Sequence, residues 1–180
     1  MNLHDYQGAI NDFARYPEVH SARYTALGLF GEAGEIANQV KKIWRDDDGV
    51  LTADRMTKLR DELGDVLWYA VRWAHHQNVV VGTMAIEIGV PLDEMELPAP
   101  ADIFQAAEQL SLLAATAIAM ALLDPDMKGD TLDYVQALLN SIATFADFLE
   151  TDLREVAQAN VDKLTGRVER GTLQGSGDGR

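Results

Sequence analysis

Cysteine is absent from the 180 residues, which excludes disulfides, thiolate nucleophiles and cysteine-based zinc sites. Positive charge is scarce, because 15 Lys and Arg stand against 29 Asp and Glu and the formal net charge is −14. This balance disfavours duplex nucleic acid and anionic membrane surfaces as partners. Aromatic residues make up only 7% of the chain, against 47% for all hydrophobic residues. Since many of the others are alanine and leucine, the composition favours packed helices over a sheet.

Several sequence signals are also missing. There is no G-x-x-x-x-G-K-[ST] stretch, so a P-loop nucleotide site is excluded. The opening MNLHDYQ has neither the basic nor the apolar region of a signal peptide. The longest apolar runs are expected to be too short or too interrupted to span a bilayer. These absences predict a soluble, cytoplasmic protein without a membrane partner.

Apolar residues recur at three- and four-residue steps along most of the chain, which predicts an all-α helical bundle. Thr52 is the expected N-cap of the helix that begins near Ala53. The β-branched run at 79–82 weakens the helical pattern, and residues 83–90 have the composition to resume it. The predicted helices cover about residues 3–15, 22–44, 53–77, 103–123, 131–150 and 151–167.

Two pairs of acidic residues share one spacing. Glu32 and Glu35 are three residues apart, and Glu62 and Asp65 repeat this on the next predicted helix, so each pair lies on one helical face. Both pairs border apolar stripes along which two antiparallel helices would pack. Four carboxylates there repel one another and lose hydration unless a cation compensates them, and an all-oxygen cluster suits Mg²⁺, with Mn²⁺ as a substitute. Solvated helix faces with ion pairs to nearby lysines are the alternative.

Longer motifs surround these pairs: LGLFGEAGE at the first, ELGDVLWY at the second, and ANVDKLTGRVERG near the C-terminus. Together with the ExxE, spacer, ExxD pattern, they make the sequence similar to the MazG family of all-α nucleoside triphosphate pyrophosphohydrolases. The resemblance covers roughly the first half of the chain and its last fifth. Residues from about 78 to 150 have no counterpart in the short members of that family.

The resemblance implies Mg²⁺-dependent hydrolysis of a nucleoside triphosphate, in particular a deoxynucleoside triphosphate, to the monophosphate and pyrophosphate. In that mechanism Glu32, Glu35, Glu62 and Asp65 hold Mg²⁺, which offsets charge on the phosphates and activates the attacking water. One carboxylate, in first place Glu35, accepts the proton of the water that attacks the α-phosphorus. Glu35 and Glu62 are therefore the expected catalytic residues.

Substrate contacts are expected from polar residues on two further segments. In the family an Asn-x-x-Lys-Leu stretch lines the nucleotide site, so the resemblance implies that Asn160 lies near the sugar or base and Lys163 near phosphate. Lys41, Lys42 and Arg167 are further candidates for phosphate contacts, with a solvated helix face as the alternative for Arg167. The sequence does not reveal which base is preferred. The side chains available to recognise a base are Tyr24, Asn38, Trp44, Trp68 and Trp73.

The second half of the chain repeats the order of helix, acidic break and helix, but without the carboxylates. Aligning residues 115–119 with 33–37, and 145 with 69, places Ala114, Ala117, Leu138 and Ser141 at the positions of the four acids. A decayed internal duplication would produce this arrangement. An inserted hairpin of separate origin is the alternative.

We therefore expect one all-α domain over residues 1–180, divided into four parts. These are a metal-binding helical half at 1–90, a Pro-rich linker at 91–101, a second helical half at 102–170 and a flexible tail at 171–180. A homodimer is expected, since short relatives assemble their sites between chains. Two rival functions remain open: a dUTP and dUDP hydrolase of the dimeric dUTPase type, and a non-catalytic helical interaction protein that retains a metal cluster.

Overall fold

A computed structural model describes residues 1–92, 97–123 and 131–173. Within these ranges it contains six α-helices and no strand, which confirms the predicted all-α bundle. The helices are α1 (Leu3–Ala9), α2 (Ser21–Asp46), α3 (Ala53–His76), α4 (Ile103–Leu123), α5 (Thr131–Phe148) and α6 (Leu153–Glu169). Residues 93–96 of the predicted linker, 124–130 of the break and 174–180 of the predicted tail lie outside the described residues.

Local sequence explains most helix ends. The predicted cap of α3 is confirmed, because the Thr52 hydroxyl accepts a hydrogen bond from the Arg55 N–H at 3.3 Å. The first helix is shorter than predicted, since its second half tightens into a 3₁₀ helix at Ile10–Phe13. The expectation that residues 83–90 resume a helix is wrong. After a single 3₁₀ turn at Val81–Thr83 no helix follows: Met84 is extended, the chain bends at 88–89, and Gly89 has a φ of +66°.

The buried side chains form one cluster to which all six helices contribute. Helix α2 packs against both α3 and α4, while α3 also contacts α5 and α6. Leu29, Leu63, Leu110 and Phe145, from four of these helices, are completely buried. Each such side chain stabilises the fold by roughly 1.5–3 kcal/mol relative to exposure. The two predicted halves thus share a core, although their division stays a prediction.

Two contacts set how α2 lies along α3. The guanidinium of Arg55 forms an ion pair with Asp47 at 2.9 Å and donates to Oε1 of Gln39 at 2.6 Å, which ties the start of α3 to the end of α2. Further along, Gly28 permits a close approach, because a Cβ there would lie 2.1 Å from the ring of Tyr69. These two contacts fix the register that brings the acidic pairs of the two helices together.

Helix α4 differs from what the sequence suggested. Its stretch Ile103–Leu122 is long and apolar enough to cross a membrane, judged by length and composition alone. The expectation that every apolar run is too short or too interrupted is therefore wrong, because Glu108 is the one charged side chain in that stretch. A core helix satisfies the same criterion, and α4 packs against α2 and α5.

Candidate active site

Three of the four predicted acids meet between α2 and α3. Glu32 of α2 and Glu62 and Asp65 of α3 each offer a carboxylate oxygen, and these oxygens lie within 4.8 Å of one another. All three side chains are half-buried. They are brought together because each acid occupies the edge of an apolar stripe that packs against the other helix. Leu29 and Ile36 on α2, and Leu63 and Val66 on α3, form the buried part of these stripes.

Glu35 lies in the same cleft but outside this group of three. Its side chain is exposed, one turn further along α2 than Glu32. It is still close enough for its charge to raise the pKa of both Glu32 and Glu62. The four acids therefore form three inner carboxylates and one at the open edge.

Crowding and burial hold protons on this cluster. The pKa of Glu32 is raised to about 7, first by desolvation and then by the charges of Asp65, Glu35 and Glu62. The pKa of Glu62 is also raised, mainly by desolvation and then by Glu35 and Asp65. A cation that binds here would displace these protons, because it stabilises the ionised carboxylates.

Helix α6 supplies a second layer behind Asp65. The Asn160 amide donates to Oδ1 of Asp65 at 3.1 Å, and its own oxygen accepts from the Tyr6 hydroxyl at 2.8 Å. Asn160 is buried and packs over Gly64, where a Cβ would lie only 3.3 Å away. Both ends of this amide are thus occupied by protein groups that orient Asp65. The prediction that Asn160 contacts the sugar or base stays a prediction.

Lys163 is the cation nearest to the acids. Its ammonium group lies 2.6 Å from Oδ1 of Asp65 and 3.4 Å from the backbone oxygen of Asp61. It opposes the rise in the pKa of Glu32 and of Glu62 without reversing either. Lys163 forms the one ion pair to these four acids in the described part of the chain. It therefore offsets only part of their charge when they ionise, and a divalent cation would offset more of it.

The acids open into a cleft of about 910 Å³. Lys163 and Arg167, both predicted to bind substrate, line it. Arg15 and Lys58, which were not predicted to bind substrate, line it as well. The Nε of Arg167 is buried and has no hydrogen-bond partner among the described residues. No motif marks Arg15, because it reaches the cleft from the segment before α2. Lys58 is on the acid-bearing helix and could have been found from its position one turn before Glu62.

Two predicted phosphate contacts lie elsewhere. Lys41 lines a separate pocket of about 340 Å³ between α2 and α4, together with Trp44 and Phe104. Lys42 is half-buried and is not among the residues that line the acidic cleft. The structure therefore does not bring these two lysines together with the acids, and their roles stay predictions.

Aromatic side chains line the same cleft beside the acids. Of the five side chains considered for base recognition, Tyr24 and Trp68 lie here, and Tyr16 and Tyr69 join them. The indole Nε1 of Trp68 is buried and makes no hydrogen bond within the described part of the chain. Among the rest, Trp73 lies in the core, where only 1% of its surface is exposed, and Trp44 stacks on Phe104 with 3.8 Å between ring centroids.

The donor set fits a hard divalent cation. Glu32, Glu62 and Asp65 offer only oxygen ligands, at separations that one ion can bridge, and the cleft leaves room for water and substrate oxygens. No other such group of three or more acidic or histidine side chains occurs in the described residues. Mg²⁺ and Mn²⁺ match this chemistry better than ions that prefer nitrogen or sulfur.

Comparison with known proteins places this geometry in a family. Residues 20–87, which include α2, α3 and all four acids, match the MazG nucleotide pyrophosphohydrolase domain. Gene 37 protein of Mycobacterium phage L5 is 44% identical over 90 residues, an alignment that covers 47% of this chain and 79% of the phage protein. No solved structure matches the chain. The domain match and the phage relative together show that this chain belongs to the MazG nucleotide pyrophosphohydrolase family.

Proposed function

We propose that the protein catalyses Mg²⁺-dependent hydrolysis of a nucleoside triphosphate, in particular a deoxynucleoside triphosphate, to the nucleoside monophosphate and pyrophosphate. The observation that carries this proposal is the convergence of Glu32, Glu62 and Asp65 within 4.8 Å in a cleft that also contains basic and aromatic side chains. The family domain over residues 20–87 supports the same chemistry.

Glu32, Glu62 and Asp65 are the residues that would hold the ion. Bound Mg²⁺ supplies positive charge for the triphosphate oxygens and for the leaving pyrophosphate. The raised pKa of Glu32 and of Glu62 means that protons leave these carboxylates when the ion binds. Asn160 keeps Asp65 oriented from behind, so that its carboxylate faces the other two acids.

Glu35 is the proposed general base. It lies at the open edge of the cleft, exposed and outside the inner group, where it can accept a proton from water that attacks the α-phosphorus. Lys163, Arg167, Lys58 and Arg15 line the cleft and are placed to contact phosphate oxygens.

A restriction to uracil nucleotides is a second candidate function. The hairpin of α4 and α5 has no carboxylate at the positions aligned with the four acids, and it packs on the acid-bearing hairpin. An enzyme of the dimeric dUTPase type, which hydrolyses dUTP and dUDP, also pairs a catalytic helical half with a half that has no carboxylate cluster. We also propose that the chain forms a homodimer. Light scattering would test this by measuring the molar mass in solution.

The test is a screen of the standard ribo- and deoxyribonucleoside triphosphates and of dUTP and dUDP, with pyrophosphate or phosphate release as the readout. Each substrate is assayed with Mg²⁺, with Mn²⁺ and with chelator. Pyrophosphate release that requires metal supports the proposal, and turnover of uracil nucleotides alone favours the second candidate. No metal-dependent turnover of any of them would contradict both, and would favour a non-catalytic helical protein.

A further inference from the structure

Arg72 on α3 is a buried cation whose partners are all neutral. Only 6% of its surface is exposed. Its Nε donates to the Tyr16 hydroxyl at 2.8 Å, its Nη1 donates to Oδ1 of Asn11, and its Nη2 lies 3.5 Å from Nε2 of His76. In the described ranges no carboxylate forms an ion pair with it. Burial of a charge without a counter-ion is unfavourable, so filling the core does not explain an arginine here.

These contacts fix both hydrogen-bonding roles of the Tyr16 hydroxyl. It accepts from Arg72 and lies 2.8 Å from Nε2 of His76. Desolvation, followed by the charges of Arg72 and His75, lowers the pKa of His76 to about 4. Since His76 is neutral at physiological pH, its Nε2 can accept the Tyr16 proton. The phenol is therefore held from two sides by α3.

Tyr16 packs against two further aromatic side chains, Tyr24 and Trp68. We call these three residues the aromatic wall. The Tyr16 ring stacks on Tyr24 with 4.6 Å between centroids and an angle of 25°, and it meets Trp68 edge-on at 6.2 Å. All three side chains line the acidic cleft, and 44% of Tyr24 is exposed. Tyr24 precedes Glu32 by eight residues on α2, or about 12 Å of helical rise. A ligand whose phosphates meet the acids can therefore extend its other end toward this wall.

We propose that Arg72 is a positioning residue for the nucleobase: by holding Tyr16, it keeps the aromatic wall ready to stack on the base through the exposed ring of Tyr24. This inference rests on the proposed function. Stacking on an aromatic ring suits any base, because every base has a π face.

The test compares a deoxynucleoside triphosphate with 2-deoxyribose 5-triphosphate, which has the same sugar and phosphates but no base. Tyr16→Phe and Arg72→Met remove the restraint, Tyr24→Leu removes the exposed ring, and Arg72→Lys keeps a donor. For the first three we expect KM for the nucleotide to rise about 10-fold while kcat changes less than about 2-fold. KM for 2-deoxyribose 5-triphosphate should not change. Arg72→Lys should show a smaller rise in KM for the nucleotide than Arg72→Met.

Several outcomes distinguish the proposals. If the unsubstituted protein turns over no triphosphate, the proposed function fails and this inference fails with it. If it is active but Tyr16→Phe and Arg72→Met leave KM for the nucleotide unchanged, only the positioning role is overturned. An equal rise in KM for both substrates would also overturn it, since that shows a general structural effect. Should Arg72→Met not fold, Tyr16→Phe and Asn11→Ala, which alters an exposed partner of Arg72, decide the question.

Discussion

The α2–α3 and α4–α5 hairpins have the same order of elements but opposite chemistry. At four aligned positions the first hairpin has the acids, whereas the second has Ala114, Ala117, Leu138 and Ser141. The three apolar replacements are completely buried and Ser141 is 6% exposed. The inner acids of the first hairpin are half-buried and line a cleft. At these positions the α4–α5 hairpin thus forms part of the core. The α2–α3 hairpin instead leaves a cleft in which its carboxylates contact solvent or can bind a cation.

This difference shows what the carboxylates do to the fold. Apolar side chains at a helix interface add to stability by burial. Carboxylates at the same positions reduce it, and the raised pKa of Glu32 reports the strain that crowding and desolvation impose. The α4–α5 hairpin supports the first by packing on α2 and α3. Whether the two hairpins share an ancestor stays a prediction.

The largest expected effect, on kcat, comes from removing one carboxylate from the α2–α3 hairpin, since the α4–α5 hairpin has none at the aligned positions. Glu62→Gln should lower kcat at least about 100-fold, because it removes a charged ligand from the inner group. The metal-free variant should fold as stably as the unsubstituted protein or slightly more so, since repulsion is relieved. Steady-state kinetics and thermal melts measure the two quantities. The matched control is Glu108→Gln, an exposed acid on α4, which should change neither. Unfolding of the Glu62 variant at room temperature would show that the acids are structural.

Metal should stabilise the fold only through the first hairpin. An ion that binds the native cluster alone adds RT ln(1 + [L]/Kd), which is about 2.7 kcal/mol when free ion is a hundredfold above Kd. Thermal melts with and without Mg²⁺ or Mn²⁺ should therefore separate for the unsubstituted protein and for Glu108→Gln, and coincide for Glu62→Gln. Coincident melts for the unsubstituted protein, at concentrations that support turnover, would argue against a preformed site.

The second layer behind Asp65 should contribute less than the ligands themselves. Asn160→Ala leaves the Tyr6 hydroxyl buried without its acceptor, which costs about 1–3 kcal/mol of unfolding free energy. It also frees Asp65 to rotate, so Mg²⁺ affinity should fall about 10-fold to 100-fold. Urea melts measure the first effect, and titration calorimetry measures the second. Unchanged metal affinity in a destabilised variant would limit Asn160 to a structural role.

The smallest expected effect is a pH dependence of the metal-free fold. The folded pKa of Glu32 is about 7, above its value in an unfolded chain, so the proton that it holds stabilises the fold. That stabilisation is complete below about pH 4.5 and is lost as pH rises through 7. With allowance for solvent screening of a half-buried group, the loss is roughly 1–2 kcal/mol. Urea melts at pH 5 and pH 8 should show this difference, and Glu32→Gln should reduce it. If the unfolding free energy of the unsubstituted protein and that of Glu32→Gln depend equally on pH, the effect does not come from Glu32.

Much of the site could be predicted because it depends on local spacing. Acids three residues apart at the edge of an apolar stripe must face the helix that packs there, which explains why Glu32, Glu62 and Asp65 were found. Lys163 was predicted from the resemblance of its segment to the family, and Arg167 from its position one turn later on the same helix. Both line the cleft. The capping residue Thr52 was found for the same local reason.

Other features depend on tertiary contacts that spacing does not reveal. Arg15 and Tyr6 reach the site from the N-terminal segment, whose path over α3 and α6 has no signature in sequence. Lys41 has the right charge, but it faces α4, which lies in the half of the chain without a family counterpart. Charged residues are mostly exposed, but Arg55 and Arg72 are buried. Each donates hydrogen bonds to side chains of other segments, such as Asp47 and Tyr16, and the sequence does not show these contacts.

The most direct test of the central claim is to identify the bond that breaks. If the acids of α2 and α3 direct water to the α-phosphorus, turnover in ¹⁸O-labelled water should place the label in the nucleoside monophosphate and leave pyrophosphate unlabelled. Mass spectrometry of the products after a single turnover measures this. Label in the pyrophosphate would mean attack at the β-phosphorus and a different position of the substrate over the acids. Nucleoside diphosphate and orthophosphate as the first products would contradict the pyrophosphohydrolase mechanism proposed for this site.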